Sequence, residues 1–403
     1  MMIKRPAIRT LHRWLGLISG ILIVIVALTG SMLAFEEEGR DYLMHDYYHL
    51  EHPGTARLPM DQLVDTFNVH YPKTKINSIR FREKADAAFV FFLKDRYVFM
   101  DPYTATITAD IPLYKDFFTA VRTLHTELFL GPAGKSIVHF NVLFFFFILL
   151  SGLVLWWPKK WRFIKQSASI KFGTTNRKRL NFDLHRALGF YSLPVLLIIS
   201  FTGLFMAFDA TKQLVSFVTH SPIPEKEDVF AIEKPAAVKP GKGALDRSYL
   251  YASSSYPGAK ETFVTPATGK APIRVIMRYP SNILRKQNNF YFNPYTGALL
   301  KTDLYTNYTA YDKVARSNYN LHTGKIGFLG IFSHILWCLA GLAAASLPVT
   351  GFLIYYHRKL TRSKPTDGTY PARKALTTDL GVSTATTPSG PGTAAPYPSG
   401  DHL

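Results

Sequence analysis

Residues 11–35 read LHRWLGLISGILIVIVALTGSMLAF, and residues 184–208 read LHRALGFYSLPVLLIISFTGLFMAF. Aligned without a gap, eleven of these 25 positions are identical, among them Leu-His-Arg, Leu-Gly, Thr-Gly and Ala-Phe. After the opening Leu-His-Arg, neither stretch contains Asp, Glu, Lys or Arg. A helix rises ~1.5 Å per residue and a hydrocarbon core is ~30 Å thick, so about 20 apolar residues span it. The uncharged stretches 14–35, 136–157, 187–208 and 326–356 all meet that length. Four transmembrane helices are therefore expected. The first reads as a retained span rather than a signal peptide, because its apolar run is long and Phe35-Glu36-Glu37-Glu38 offers no small-residue cleavage site.

The repeat extends beyond these two helices. Residues 99–107 (FMDPYTATI) resemble 291–299 (YFNPYTGAL), and each follows a strand-like run, 88–99 and 274–292. Pro-Tyr-Thr-Gly chemistry marks a turn at both places. Leu124-His125-Thr126 then recurs as Leu321-His322-Thr323, each ahead of a further apolar helix. The expected unit is helix, α+β segment, Leu-His-Thr, helix, occurring twice in the same orientation. Two parallel copies imply a pseudo-two-fold axis along the membrane normal, so a ligand near that axis would draw one residue from each copy.

Charge placement orients the chain. The formal net charge is +19, yet it is not spread as a nucleic-acid surface would require. Residues 1–13 hold Lys4, Arg5, Arg9 and Arg13 and no acid, and 158–184 holds eight Lys/Arg against Asp183 alone. Arg358, Lys359, Arg362 and Lys364 follow the fourth helix, whereas 36–135 has 12 basic and 15 acidic residues. Short basic loops stay on the cytoplasmic side. The expected order is a cytoplasmic N-terminus and first span (1–35), an outer segment (36–135), a second span (136–157) and a basic cytoplasmic loop (158–184). A third span (185–208), a second outer segment (209–325), a fourth span (326–357) and a cytoplasmic tail (358–403) complete it. Trp156, Trp157, Trp161, Tyr355 and Tyr356 fit interfacial anchors, and residues beyond about 365, rich in Thr, Ser, Pro and Gly, read as disordered.

The histidines supply the chemistry. His12 and His185 occupy matching places at the inner ends of the first and third helices, and His125 and His322 at the outer entries of the second and fourth. His139 and His334 lie one to two turns inside those helices, and His357 caps the inner end of the fourth. A single interfacial histidine usually just packs and hydrogen-bonds. Ionisable groups repeated in two layers of a membrane bundle point instead to function. Neutral imidazole is a good axial ligand for haem iron, and a pair makes a six-coordinate electron-transfer site. Proton relay and Zn or Cu binding use imidazole as well. The sole cysteine, Cys338, and the absence of C-x-x-C-H exclude covalently attached haem. Each apolar helix also carries a small-residue pair, Thr29-Gly30, Ser151-Gly152, Thr202-Gly203 and Thr350-Gly351, suited to a macrocycle or to helix packing. The phenylalanine run 144–147 reads as lipid-facing bulk.

These motifs, with Gly131-Pro132-Ala133-Gly134 and the Gly152-Leu153-Val154-Leu155-Trp156-Trp157 close of the second helix, resemble the PepSY-associated transmembrane family over roughly residues 8–360. Its members include iron-regulated inner-membrane proteins and ferric-siderophore reductases of Gram-negative bacteria. The resemblance implies a four-helix membrane protein with two small periplasmic α+β (PepSY-like) segments, two haem b groups, and electrons moving outward to reduce Fe(III) in a periplasmic siderophore. His12, His125, His185 and His322 match the family's histidine motifs; His139, His334 and His357 lie outside them and rest on placement alone. The electron donor is expected to be a separate molecule, quinol or a cytoplasmic flavoprotein. Segment 209–325 has 16 basic against nine acidic residues, and Arg274, Arg278 and Arg285 are the candidates for meeting an anionic chelate. Two other readings stand beside this one: a non-enzymatic binding or regulatory membrane protein, and an electron donor to a separate periplasmic oxidoreductase. No nucleic-acid partner is expected.

Overall fold

A long uncharged segment without outside partners must satisfy its backbone hydrogen bonds within itself, and a helix does so. The computed structural model describes residues 5–158, 160–173, 176–224, 241, 243–268 and 271–362. It holds four helices long and apolar enough to cross a membrane. They are α1 (Arg5–Leu33), α6 (Gly131–Trp156), α8 (Arg177–Ala207) and α12 (Ile331–Arg362). Large apolar side chains such as Ile18 (69 % exposed), Ile21 (78 %) and Phe332 (74 %) point away from the bundle, an arrangement suited to lipid rather than water. The observed helices run past the uncharged stretches into polar sequence. α8, for example, begins after Asn176, whose side chain accepts hydrogen bonds from the Lys178 and Arg179 amides. This helix thus starts about two turns before the expected span. The tail beyond residue 365 lies outside the described residues.

Between α1 and α6 come α2 (Glu36–Leu43), α3 (His45–Tyr48), α4 (Met60–His70), strands β1 (Ser78–Arg82), β2 (Phe89–Phe92), β3 (Arg96–Met100) and β4 (Ile107–Pro112), and α5 (Phe117–Glu127). α7 (Ile164–Ala168) precedes α8. Then follow α9 (Asp209–Thr219), α10 (Ala244–Ser255), β5 (Glu261–Thr265), β6 (Ile273–Arg278), β7 (Gln287–Phe292), β8 (Leu299–Asp303) and α11 (Ala310–Thr323). The strand-like runs 88–99 and 274–292 each form two paired strands, β2–β3 and β6–β7. Lys94-Asp95 and the segment 279–286 interrupt them, because the chain must reverse for each half to pair with itself.

The two outer segments were expected as separate units, but their strands share one antiparallel sheet in the order β4-β3-β2-β1-β5-β6-β7-β8. The halves meet at β1 and β5, where Ile79 pairs with Val264 and Phe81 with Thr262. Joining them removes two exposed strand edges. Alternation then separates the faces. Ile79, Phe81, Phe91, Val264, Val275, Met277 and Phe290 pack on one side with Leu63 and Phe67 of α4 and Ala252 of α10. Arg80, Arg82, Glu261, Arg274 and Arg278 alternate with those residues and lie on the other side.

The Pro-Tyr-Thr turns match in detail. Asp101 Oδ1 accepts from the Tyr103 amide at 2.8 Å, as Asn293 Oδ1 does from Tyr295 at 2.9 Å. Gly297 takes φ +73°, and its counterpart Ala105 takes φ +58°, a left-handed conformation unfavourable for a residue with a Cβ. Ala105→Gly is expected to stabilise the chain by about 0.5 kcal/mol, read as a higher thermal midpoint in detergent; a lower midpoint would contradict the strain.

The helix starts of α4 and α10 cap one another. Asp246 accepts from the Met60 and Asp61 amides at 2.6 and 3.1 Å, and Asp61 accepts from the Asp246 amide at 3.2 Å. Burial and the neighbouring Asp246 carboxylate raise the Asp61 pKa to about 6. Its folded value lies above the unfolded one, so the folded chain binds more protons between pH ~4 and ~6, and stability falls as pH rises through that window. Asp61→Asn is expected to reduce this pH-dependent loss, measured as thermal midpoints at pH 5 and 7. An unchanged difference between the two pH values would count against the coupling.

Candidate functional site

The histidines with duplicated positions come together in two pairs. His12 on α1 and His185 on α8 have ring centroids 6.4 Å apart. His125, in the last turn of α5, and His322, in the last turn of α11, are also 6.4 Å apart. An iron bound to two imidazoles through bonds of about 2.0 Å would hold the ring centroids roughly 6 Å apart. Each pair is spaced accordingly. From His12 to Gly30, which packs on His125, is 18 residues of α1, so the layers are about 27 Å apart. Between them lie Leu149, Leu193, Leu196, Ala340 and Ala344, an apolar block with no charged group.

Local structure places the second pair. Asp116 caps α5 by accepting from the Thr119 amide, and a Thr309/Asp312 capping box starts α11. Leu128 and Gly324 end these helices in left-handed conformations (φ +53° and +77°). At Gly324 a Cβ would also lie 2.7 Å from Trp337 Cγ, so the turn needs glycine on both grounds. Trp337 Nε1 donates to the Leu321 carbonyl at 2.8 Å, which ties α12 to α11 beside His322.

Each imidazole sits in the same kind of seat, built from a small-residue pair on a neighbouring helix. His12 Nδ1 is 2.9 Å from Ser151 Oγ and His185 Nδ1 is 2.8 Å from Thr350 Oγ1. His125 Nδ1 is 3.0 Å from Thr29 Oγ1, and His322 Nδ1 is 3.0 Å from Thr202 Oγ1. Every one of these hydroxyls donates its own proton to a carbonyl of its helix, for example Ser151 to Phe147 at 2.7 Å and Thr29 to Ile25 at 2.7 Å. The hydroxyl oxygen must therefore accept from Nδ1–H. For His12 and His322 a backbone carbonyl accepts from the same nitrogen as well: Ile148 for His12 and Ile199 for His322, both at 3.1 Å. With its proton fixed on Nδ1, the neutral ring carries a lone pair on Nε2. None of the four Nε2 atoms takes a hydrogen bond from a described residue.

The glycines of those pairs have a physical role that sequence reasoning divided between macrocycle and helix packing. They make room for the imidazoles. A Cβ at Gly30 would lie 3.0 Å from His125 Cε1, at Gly152 3.3 Å from His12 Cε1 and at Gly351 3.3 Å from His185 Cε1, while at Gly203 it would meet Val142 Cγ2 at 3.0 Å and His322 Cε1 only at 3.5 Å. Hydroxyl and glycine at adjacent positions thus place a hydrogen-bond acceptor beneath each ring and a gap beneath those of His12, His125 and His185.

The other candidate histidines are not gathered in this way. His139 is half-buried beside Phe208 at 6.0 Å. His334 is buried with Nδ1 2.7 Å from Glu38 Oε1 and its ring against Phe35. No contact joins His139 to His334 among the described residues, whereas the His125 and His322 rings lie 6.4 Å apart. His357 lies six residues beyond Gly351, about 9 Å along the helix, with its ring beside Tyr356. Among the candidate arginines, Arg278 pairs with Glu261 at 2.9 Å and covers Phe263. Arg274 stacks over Tyr291 at 5.5 Å, and its buried Nε has no hydrogen-bond partner among the described residues. Arg285 stacks over Tyr319 at 4.4 Å.

Sequence reading missed Tyr319 and Arg122, each three residues before a seated histidine and hence one turn away. Arg122 pairs with Glu36, and Lys325 also approaches the Tyr319 ring, at 5.4 Å. The helical i−3 spacing from His125 and His322 was the available signal.

Comparison with known proteins adds the family. The family described as PepSY-associated TM region matches residues 9–358. No curated protein matches the chain. Among solved structures, a lipoprotein candidate from Clostridium difficile 630 aligns with 62 % of this chain and 95 % of its own, at 7 % identity and a TM-score of 0.22. Four spanning-length helices and this family match make the chain a membrane protein.

Proposed function

We propose that this chain, which belongs to the PepSY-associated TM region family, is a di-haem b protein of the bacterial inner membrane that moves electrons outward and reduces Fe(III) in siderophore complexes. The observation that carries the reading is the set of four imidazoles, each held through Nδ1 by a hydroxyl, that come together in two pairs with ring centroids 6.4 Å apart. His12 and His185 would hold one haem and His125 and His322 the other. Haem iron between two imidazoles exchanges one electron with little change in its ligands.

The chain's own groups set the conditions. The Ser/Thr-Gly seats fix ring orientation and tautomer, which favours ligation because the ring is already turned and deprotonated at the ligating atom. The apolar block between the layers keeps water out of the bundle centre. Arg5, Arg9 and Arg13 of α1 and Arg177, Lys178 and Arg179 of α8 lie at the helix ends that carry His12 and His185, so on the positive-inside rule that pair would be cytoplasmic and the sheet periplasmic. Matching seats in both halves agree with two parallel repeats about an axis along the membrane normal. A quinol or cytoplasmic flavoprotein would supply the electrons.

On the periplasmic side, Arg274, Arg278 and Arg285 belong to a basic sheet face and turn that would attract an anionic ferric chelate. Asn320 Nδ2 donates to the Ile283 carbonyl at 3.0 Å, and the Gly327 amide donates to Asn282 at 2.8 Å. These bonds fasten that turn two residues before and five residues after His322. One electron converts bound Fe(III) to Fe(II), which hard oxygen donors hold less tightly, and the metal is released without a proton-transfer residue.

The test uses the purified protein. A Soret band that shifts on dithionite, followed by reoxidation with a ferric siderophore but not with its iron-free form, is the expected result. A protein without a Soret band would be a binding or regulatory module instead. Reduced haem that the ferric siderophore leaves unchanged would point to a separate periplasmic acceptor.

A further inference from the structure

A second group of ligating side chains lies at the sheet end of the bundle, apart from the four seated histidines. Asp41, His45 and His49 follow one another at intervals of four residues across α2 and α3, which only Met44 separates. Asp41 lies on α2, His45 opens α3 and His49 follows α3 in extended conformation, so the turn of the chain at Met44 rather than one continuous helix brings them together. One carboxylate oxygen and one ring nitrogen from each histidine lie within 4.8 Å of one another. The His45 and His49 rings are stacked, with centroids 4.5 Å apart.

The surroundings of His49 give an independent observation. Its Nδ1 lies 2.8 Å from Asp86 Oδ2 and its Nε2 3.2 Å from Asp41 Oδ1. A carboxylate on the far nitrogen of an imidazole is the arrangement that orients histidine for a metal and raises its basicity. Backbone bonds preset it: the Leu50 amide donates to the Asp86 carbonyl at 2.7 Å, the Ala88 amide donates to Tyr48 at 3.1 Å, and His49 bridges to Ala87. Asp86 and His49 are therefore held together before any ion arrives. His45 is exposed and can turn toward a shared ion. Arg82 Nη1, 3.2 Å from Asp41 Oδ1, is the cation that an ion would replace at that oxygen.

We propose that Asp41, His45 and His49 form a binding site for a divalent first-row transition metal, with Asp86 as the residue that positions His49. Two imidazoles and one carboxylate suit Zn2+, Fe2+ or Co2+ and leave coordination positions open, while Ca2+ and Mg2+ prefer all-oxygen sites. None of these residues belongs to the four-histidine set, so the assignment stands apart from the haem reading.

The experiment is equilibrium dialysis of the full-length detergent-solubilised protein, as purified and without a polyhistidine tag, against Zn2+. Bound zinc and iron are counted by mass spectrometry in the same sample. One zinc per chain is expected, with His45→Ala and His49→Ala each weakening binding at least about ten-fold and Asp86→Asn about 10- to 100-fold. The iron count should not change in any variant. His45 is exposed, so His45→Ala keeps the test available if His49→Ala disturbs folding. Absence of stoichiometric zinc, or wild-type affinity in His45→Ala, overturns the proposal.

Discussion

The double variant His12→Ala/His185→Ala should lose about half of the haem carried by the wild-type protein, if each facing pair holds one group. The two layers draw on different residues and stand about 27 Å apart along α1, so the remaining half should keep its spectrum and its response to dithionite. His125→Ala/His322→Ala should remove the other half. Reduction of a ferric chelate should stop in both variants, because each breaks the path at one layer. Haem per chain by pyridine haemochrome, with stopped-flow reoxidation, reads both effects. Full haem retention in either double variant would refute the assignment of that pair. His139→Ala serves as the contrast, since its ring touches Phe208 rather than another histidine, and it should leave the haem content unchanged.

Gly30→Val tests the seat rather than the ligand. The first added carbon would already lie 3.0 Å from His125 Cε1, and the two further methyl groups of valine have nowhere to go without moving the ring. Displacing His125 also separates its Nδ1 from Thr29 Oγ1. The expected result is loss of the outer haem with the inner one retained, an effect close to that of His125→Ala. Gly16→Val is the control. It introduces the same side chain on the same helix, but a Cβ there meets nothing within 4 Å, and the haem content should stay at the wild-type level. Equal haem in Gly30→Val and wild type would mean that His125 does not need this gap to ligate.

Much of this was open to reading from the chain alone, for identifiable reasons. Length and hydropathy gave the four helices because a membrane imposes one period and one minimum length on any segment that crosses it. The gapless match between 11–35 and 184–208 exposed the doubling and the equivalence of His12 with His185, and the recurring Leu-His-Thr that of His125 with His322. The Thr-Gly and Ser-Gly pairs were visible too, but their purpose was not. Nothing in residues 29–30 announces that an imidazole from residue 125 will rest on them, since the contact crosses 96 positions of sequence. The Asp41/His45/His49 group escaped notice for a related reason: its meaning depends on Asp86, which reaches it through the approach to β2.

By itself, then, the sequence determined the elements whose causes are local: spanning helices, Pro-Tyr-Thr turns, a basic side and an internal repeat. Only tertiary structure decided which histidines face one another, because helical position fixes a residue's height along the bundle but not its neighbour across it. Packing chose His125 with His322 over His139 with His334, seating the first two against hydroxyls and glycines and giving the others to Phe208, Phe35 and Glu38. It likewise joined two outer segments into one sheet through β1 and β5, a pairing that satisfies edge hydrogen bonds no single segment could satisfy alone.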